Sequence, residues 1–166
     1  MPDRRTIERA KRDRREGKSP STQAGEFVRE ELHHVREGKH GARSTKQAIA
    51  IGLSKARRAG VPLPAPAEGT APEPIRRRAK RDIAAGQHPG HRVSRKRSRA
   101  ITAALEREGH SAASHSALAE QAKSAASRRT PAKRSAAARK AAKTKGPAGR
   151  SAAAKKAART RSKRDA

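Results

Sequence analysis

The sequence predicts a mostly α-helical chain with extensive disorder: a small helical hairpin, short isolated helices and a disordered basic tail. Three observations predict it. The chain carries 43 Lys+Arg against 15 Asp+Glu in 166 residues, a net charge of +28. Only 32% of its residues are hydrophobic, and most of those are alanine. A single aromatic residue, Phe27, is present. Alanine buries little area, so the hydrophobic gain does not offset the entropy of ordering the whole chain. Low hydrophobicity with high net charge is the composition of disordered segments.

Residues 1–20 read as a charged N-terminal arm. Arg4, Arg5, Arg9, Lys11, Arg12, Arg14, Arg15 and Lys18 alternate with Asp3, Glu8, Asp13 and Glu16. Pairs such as Glu8 with Arg12 support a solvated helix, but no face is left to bury, so a partner is expected to stabilise it. Residues 21–61 read as the folded hairpin. Ala24, Phe27, Val28, Leu32 and Val35 form the stripe of an amphipathic helix, with Glu26, Arg29, Glu30, Glu31, Arg36 and Glu37 outward and Gly38 and Gly41 as the stop. A second helix opens at Ser44-Thr45-Lys46-Gln47, where Ser44 and Gln47 make a capping box. Its stripe is Ile49, Gly52, Leu53 and Ala56, and Gly60 before Val61-Pro62 ends it. Gly52 costs about 1 kcal/mol of helix propensity, which a close helix crossing at that point explains.

Residues 62–74 hold five prolines and read as an extended linker. Residues 75–128 read as short helices: one from Pro74 to Ala85, a turn at His88-Pro89-Gly90, one from Ser94 to Glu108 capped by Ser94, and one over 114–128. The shared spacing of Arg43, Ala48, Ile49 and Leu53 with Arg95, Ala100, Ile101 and Leu105 hints at a degenerate second copy of the hairpin. Residues 129–166 read as a disordered tail rich in Lys, Arg and Ala, with thirteen basic residues and one acid after Thr130.

A charge surplus of this size repels itself unless a polyanion neutralises it. Tyr and Trp are absent and Phe27 lies on an apolar stripe, so the base-stacking platforms of single-strand readers are missing and duplex DNA is expected over RNA. The candidate phosphate contacts are Lys133, Arg134, Arg139, Lys140, Lys143, Lys145, Arg150, Lys155, Lys156, Arg159, Arg161, Lys163 and Arg164. A secondary set comprises Arg43, Lys46, Lys55, Arg57 and Arg58 of the hairpin and Arg95, Lys96 and Arg97. Base readout by the hairpin is expected less than solvation of these side chains. Glu30, Glu31, Glu37, His33, His34 and His40 contain two overlapping Glu-x-x-His spacings, read here as solvated helix residues and not as a metal site. No catalytic group, metal or cofactor is expected. Cysteine is absent, the charged N-terminus is no signal peptide, and the longest apolar run, Ala48 to Leu53, is too short to span a bilayer. A cytoplasmic protein is therefore expected, without a membrane partner.

Two resemblances add to this reading. Ala136-Ala137-Ala138-Arg139-Lys140, Ala152-Ala153-Ala154-Lys155-Lys156 and Arg129-Thr130-Pro131-Ala132-Lys133-Arg134 resemble the C-terminal tails of linker histones and of histone-like bacterial proteins. The blocks from Gly25 to His34 and from Ser44 to Gly60 resemble a bacterial family of small basic proteins, a domain of unknown function, over residues 21–62. That resemblance implies a bacterial, cytoplasmic origin and assigns no site residue. The expected function is sequence-independent DNA binding of a histone-like, nucleoid-associated kind. The alternatives are an RNA-binding or ribosome-associated factor, and a hairpin at 21–61 that docks on a protein partner or on itself while the tail tethers it to DNA.

Overall fold

The computed structural model describes residues 2–88 and 94–164, and among these it holds seven α-helices, one short 3-10 turn and no strand. In chain order these are α1 (Arg4–Arg15), α2 (Pro20–Arg36), α3 (Thr45–Arg58), α4 (Glu73–Gln87), α5 (Arg95–Glu106), the 3-10 turn (Ser111–Ala113), α6 (His115–Ser127) and α7 (Pro131–Arg164). The turn expected at His88-Pro89-Gly90 falls, at Pro89 and Gly90, outside the described residues. The chain divides into two units, Met1–Gln121 and Ala122–Ala166.

In the first unit, α2 and α3 form the expected hairpin. Gly38 (φ 74) and Gly60 (φ 82) end the two helices in the left-handed conformation. The next residue's N–H in each case reaches back to the helix, Lys39 to the His34 carbonyl (3.0 Å) and Val61 to the Ala56 carbonyl (3.1 Å). The start of α3 is capped as expected on one side only: the Ser44 hydroxyl accepts from the Gln47 N–H (3.2 Å), whereas the Gln47 side chain accepts from the Arg43 N–H (2.9 Å).

Gly52 is the point of closest approach. A Cβ there would lie 2.6 Å from Val28 Cα, 2.9 Å from Val28 N and 3.0 Å from the Phe27 carbonyl oxygen. The buried face of α3 is accordingly made of small residues, Thr45, Ala48, Gly52 and Ala56, one turn apart. The expected stripe is corrected here: Ile49 and Leu53 are only half-buried, because a seam this tight excludes large side chains. Small apolar clusters fill the two ends of the pair. One joins Ala24 and Phe27 to Ala56, Val61 and Ala10, with Ile7, Leu53 and Leu63 against it. The other joins Val35, Ala42 and Ala48 to Ala112 and Ala113 of the 3-10 turn, with Leu32 against it.

The N-terminal arm departs from expectation. It does have a face to bury: Thr6, Ala10 and Asp13 are covered as α1 packs on α2. Asp13 is held by Lys18 (2.7 Å), and Arg9 reaches Glu26 of α2 (2.6 Å). The charge pattern hid a narrow stripe built from Thr, Ala and Asp rather than from large apolar residues. α4 is not isolated either. It packs on α3 with Ala79 and Asp82 buried, and Asp82 accepts from the Ser54 hydroxyl and from Arg58, both at 2.7 Å. The 3-10 turn closes the hairpin's loop end. Thr45 Oγ1 donates to the Ala112 carbonyl (2.7 Å), Arg36 to the Ala113 carbonyl (2.7 Å), and the Gly41 N–H to the Leu105 carbonyl (2.9 Å). α5 does not act as a second copy of α3, since none of its residues is buried and Ile101 is 48% exposed.

The second unit corrects the expected disorder of the tail. α7 is helical from Pro131 to Arg164, broken once at Gly146 (φ 64, ψ 174) before Pro147. Ala, Lys and Arg are strong helix formers, and Pro131 occupies a first-turn position where its missing N–H costs nothing. The Thr130-Pro131 pair starts the helix, with Thr130 Oγ1 accepting from the Lys133 N–H (3.4 Å).

Gly52→Ala is expected to lower the melting temperature by the equivalent of about 1–3 kcal/mol, the usual cost of overpacking, despite alanine's better helix propensity. Gly25→Ala, in the same hairpin with open space around it, is expected to be neutral or stabilising. Thermal unfolding followed by circular dichroism checks both.

Candidate nucleic-acid interface

The side chains proposed from sequence separate into free and engaged groups. On α7, Lys133, Arg134, Arg139, Lys140, Lys143, Lys145, Arg150, Lys155, Lys156, Arg159 and Arg161 are all exposed. Lys163 and Arg164 lie within the helix, and their side chains are outside the described part. At 100° per residue the basic positions circle the helix and do not form a single stripe. No acidic residue interrupts 131–164.

The hairpin set divides. Arg43 and Lys46 are exposed. Lys55 instead reaches inward to Glu31 (2.5 Å). Arg57 is 8% exposed, and its guanidinium donates to the carbonyls of Leu63 (3.4 Å) and Pro64 (3.1 Å), fixing the proline-rich stretch to the end of α3. Burial pulls Arg57 below its ordinary pKa, and Asp82 opposes that shift. Arg58 is taken up by Asp82. Lys55, Arg57 and Arg58 thus each hold a carboxylate or carbonyl partner within the fold, and of the three Arg58 stays exposed. Arg95, Lys96 and Arg97 are exposed in the first turn of α5, behind the Ser94 cap.

A further basic face was missed. Arg77, Arg78, Lys80 and Arg81 are exposed on the side of α4 opposite Ala79 and Asp82. Their helical spacing was the available signal, once Ala79 and Asp82 are recognised as the inward face. On α1, Arg4, Arg5, Lys11, Arg12 and Arg15 are exposed in the same way, opposite Thr6, Ala10 and Asp13. Phe27 is 1% exposed and offers no stacking surface.

The acidic side of α2 is not solvated as expected. Glu31 is 0% and Glu30 5% exposed. Glu31 receives Lys55 on one oxygen and lies 3.4 Å from His40 Nε2 by the other. Glu30 accepts from the Asp3 N–H (3.1 Å), and His34 Nε2 stands 3.9 Å from Glu30 and 3.8 Å from Asp3. Two sets, Glu31–His34–His40 and Asp3–Glu30–His34, each bring their ligand atoms within 4.8 Å of one another. The sequence showed the Glu-x-x-His spacing but not that the α2 surface bearing it faces α3 and the N-terminus.

Arg57→Ala is expected to cost about 1–3 kcal/mol by freeing two carbonyls and the end of α3. Lys46→Ala is expected to change stability by less than about 0.5 kcal/mol. Urea unfolding midpoints measure the difference.

No helix among the described residues is long and apolar enough to cross a membrane. Comparison with curated proteins and with solved structures gives no match for the chain. Residues 3–66 match a family of unknown function (DUF6496), a span that takes in α1 together with the α2–α3 hairpin and the start of the proline-rich stretch, and so reaches further towards the N-terminus than the resemblance over 21–62.

Proposed function

We propose that the chain binds duplex DNA through its phosphates, without reading the base sequence, as a histone-like, nucleoid-associated protein of a bacterial cytoplasm. The observation that carries this reading is α7: thirteen basic residues, no acid between 131 and 164, and every described basic side chain exposed. Counterion release supplies the free energy, since each neutralised phosphate frees condensed cations from the duplex. The basic groups circle the helix, so roughly half of them face one duplex at a time. The break at Gly146 lets the two halves of α7 follow different directions along the backbone. Exposed groups on α1 and α4, with Arg43, Lys46 and the start of α5, add contacts from the first unit. In this reading the chain has no catalytic role, and the small-residue hairpin is a scaffold.

The test is a salt titration of duplex-DNA affinity for the full chain and for a chain ending at Arg129. The log–log slope of the full chain is expected to exceed that of the shorter chain by about 5, the loss of roughly six phosphate contacts at about 0.9 each. Equal slopes would place binding in residues 1–129. Absence of binding at low salt, or a strong preference for structured RNA at equal salt, would overturn the DNA reading.

A further inference from the structure

We infer that Glu31, His34 and His40 form a binding site for a divalent transition-metal ion of the Zn²⁺ class. Geometry, burial and charge each point to it. Glu31 and His34 lie one helical turn apart on α2, and His40 comes from the loop that follows it. One ligand atom from each of the three lies within 4.8 Å of the others. The His40 Nε2 to Glu31 Oε1 separation of 3.4 Å matches the edge of a tetrahedron with metal bonds of about 2.0–2.1 Å, which is roughly 3.4 Å.

The orientation of two of the ligands is already set. His40 Nδ1 lies 3.1 Å from the Gly41 carbonyl, a contact that places the proton on Nδ1 and leaves the Nε2 lone pair for a metal. Lys55 occupies Glu31 Oε2, which leaves Oε1 as a single-point ligand. That oxygen is buried and has no hydrogen-bond partner, and Glu30 Oε2 is in the same condition.

The charge balance is the second argument. Two adjacent carboxylates, Glu31 and Glu30, have side chains 1% and 3% exposed, and Lys55 pairs with Glu31. Buried carboxylates left unpaired are costly, and the nearby imidazoles supply positive charge only if protonated. A divalent cation between Glu31, His34 and His40 supplies that charge with neutral imidazoles, the form that ligates. Imidazole with carboxylate suits Zn²⁺ and its neighbours in the transition series better than Mg²⁺ or Ca²⁺, which take oxygen ligands. Glu30 and Asp3, with carboxylate oxygens 3.9 and 3.8 Å from His34 Nε2, add negative charge beside the site that favours a cation. The Asp3–Glu30–His34 set is the weaker candidate in its own right, because the Asp3 side chain is 63% exposed and the set contains one histidine.

The test uses the full chain, Zn²⁺ for calorimetric titration and Co²⁺ for visible absorption. One ion per chain, tetrahedral Co²⁺ bands and a melting temperature raised by Zn²⁺ are the expected results. His40→Ala and His34→Ala are expected to weaken Zn²⁺ binding by tenfold or more, whereas His33→Ala, an exposed neighbour, leaves it unchanged. Circular dichroism of each variant without metal shows whether the fold survives. If His34→Ala does not fold, His40→Ala, in the loop, decides the question. Absence of binding, or binding that His40→Ala leaves intact, would overturn the site and leave Glu31 paired with Lys55 alone.

Discussion

The structure depends on the approach of α3 to α2 at Gly52. A chain with one aromatic residue and a hydrophobic fraction that is mostly alanine has few large side chains to bury. It gains packing by bringing two backbones together, so that Gly52 lies against Val28 and Phe27, and dispersion contacts between main chains replace those of missing side chains. The consequences spread outward. Ala48 and Ala56 fall into small clusters at either end of the crossing. Lys55, one turn beyond Gly52, comes within reach of Glu31. Arg57 and Arg58 are brought to the proline-rich stretch and to Asp82.

A second constraint is electrostatic. Residues 1–121 carry 27 basic and 14 acidic residues, and residues 122–166 carry 16 basic and one. Acids in the first unit are used where they matter: Asp13, Glu30, Glu31 and Asp82 are all buried, and most hold a cation from a neighbouring segment. The carboxylates lock helices together, while the excess of arginine and lysine is turned to solvent. Stability and charge are thus allocated to different faces of the same helices, and α1 and α4 keep a basic outer surface over a neutralised inner one.

Much of this was legible in the sequence. The hairpin, the glycine stops at Gly38 and Gly60, the Ser44 cap and the meaning of Gly52 follow from local chemistry, and local chemistry is visible in one dimension. The burial of Glu30 and Glu31 was not, because an acid at a helical position reads as outward unless its cationic partner, here Lys55, is known to sit opposite. The packed face of α1 was missed for the same reason: Thr6, Ala10 and Asp13 carry no hydrophobic pattern. The helicity of 131–164 was undervalued by weighing charge repulsion above the intrinsic preference of Ala, Lys and Arg. Among the candidate contacts, carboxylate and carbonyl partners within the fold separated Lys55, Arg57 and Arg58 from Arg43 and Lys46, a distinction that spacing alone does not make.

The account holds that the first unit is folded before it meets a polyanion, and that the second supplies the charge. Hydrogen exchange on the full chain, free and with duplex DNA, tests this most directly. Slow exchange around Val28 and Gly52 in the free chain, unchanged by DNA, with new protection confined to exposed basic segments such as α7, is the predicted result. Rapid exchange throughout the free chain, with protection at the α2–α3 crossing only after DNA is added, would contradict it.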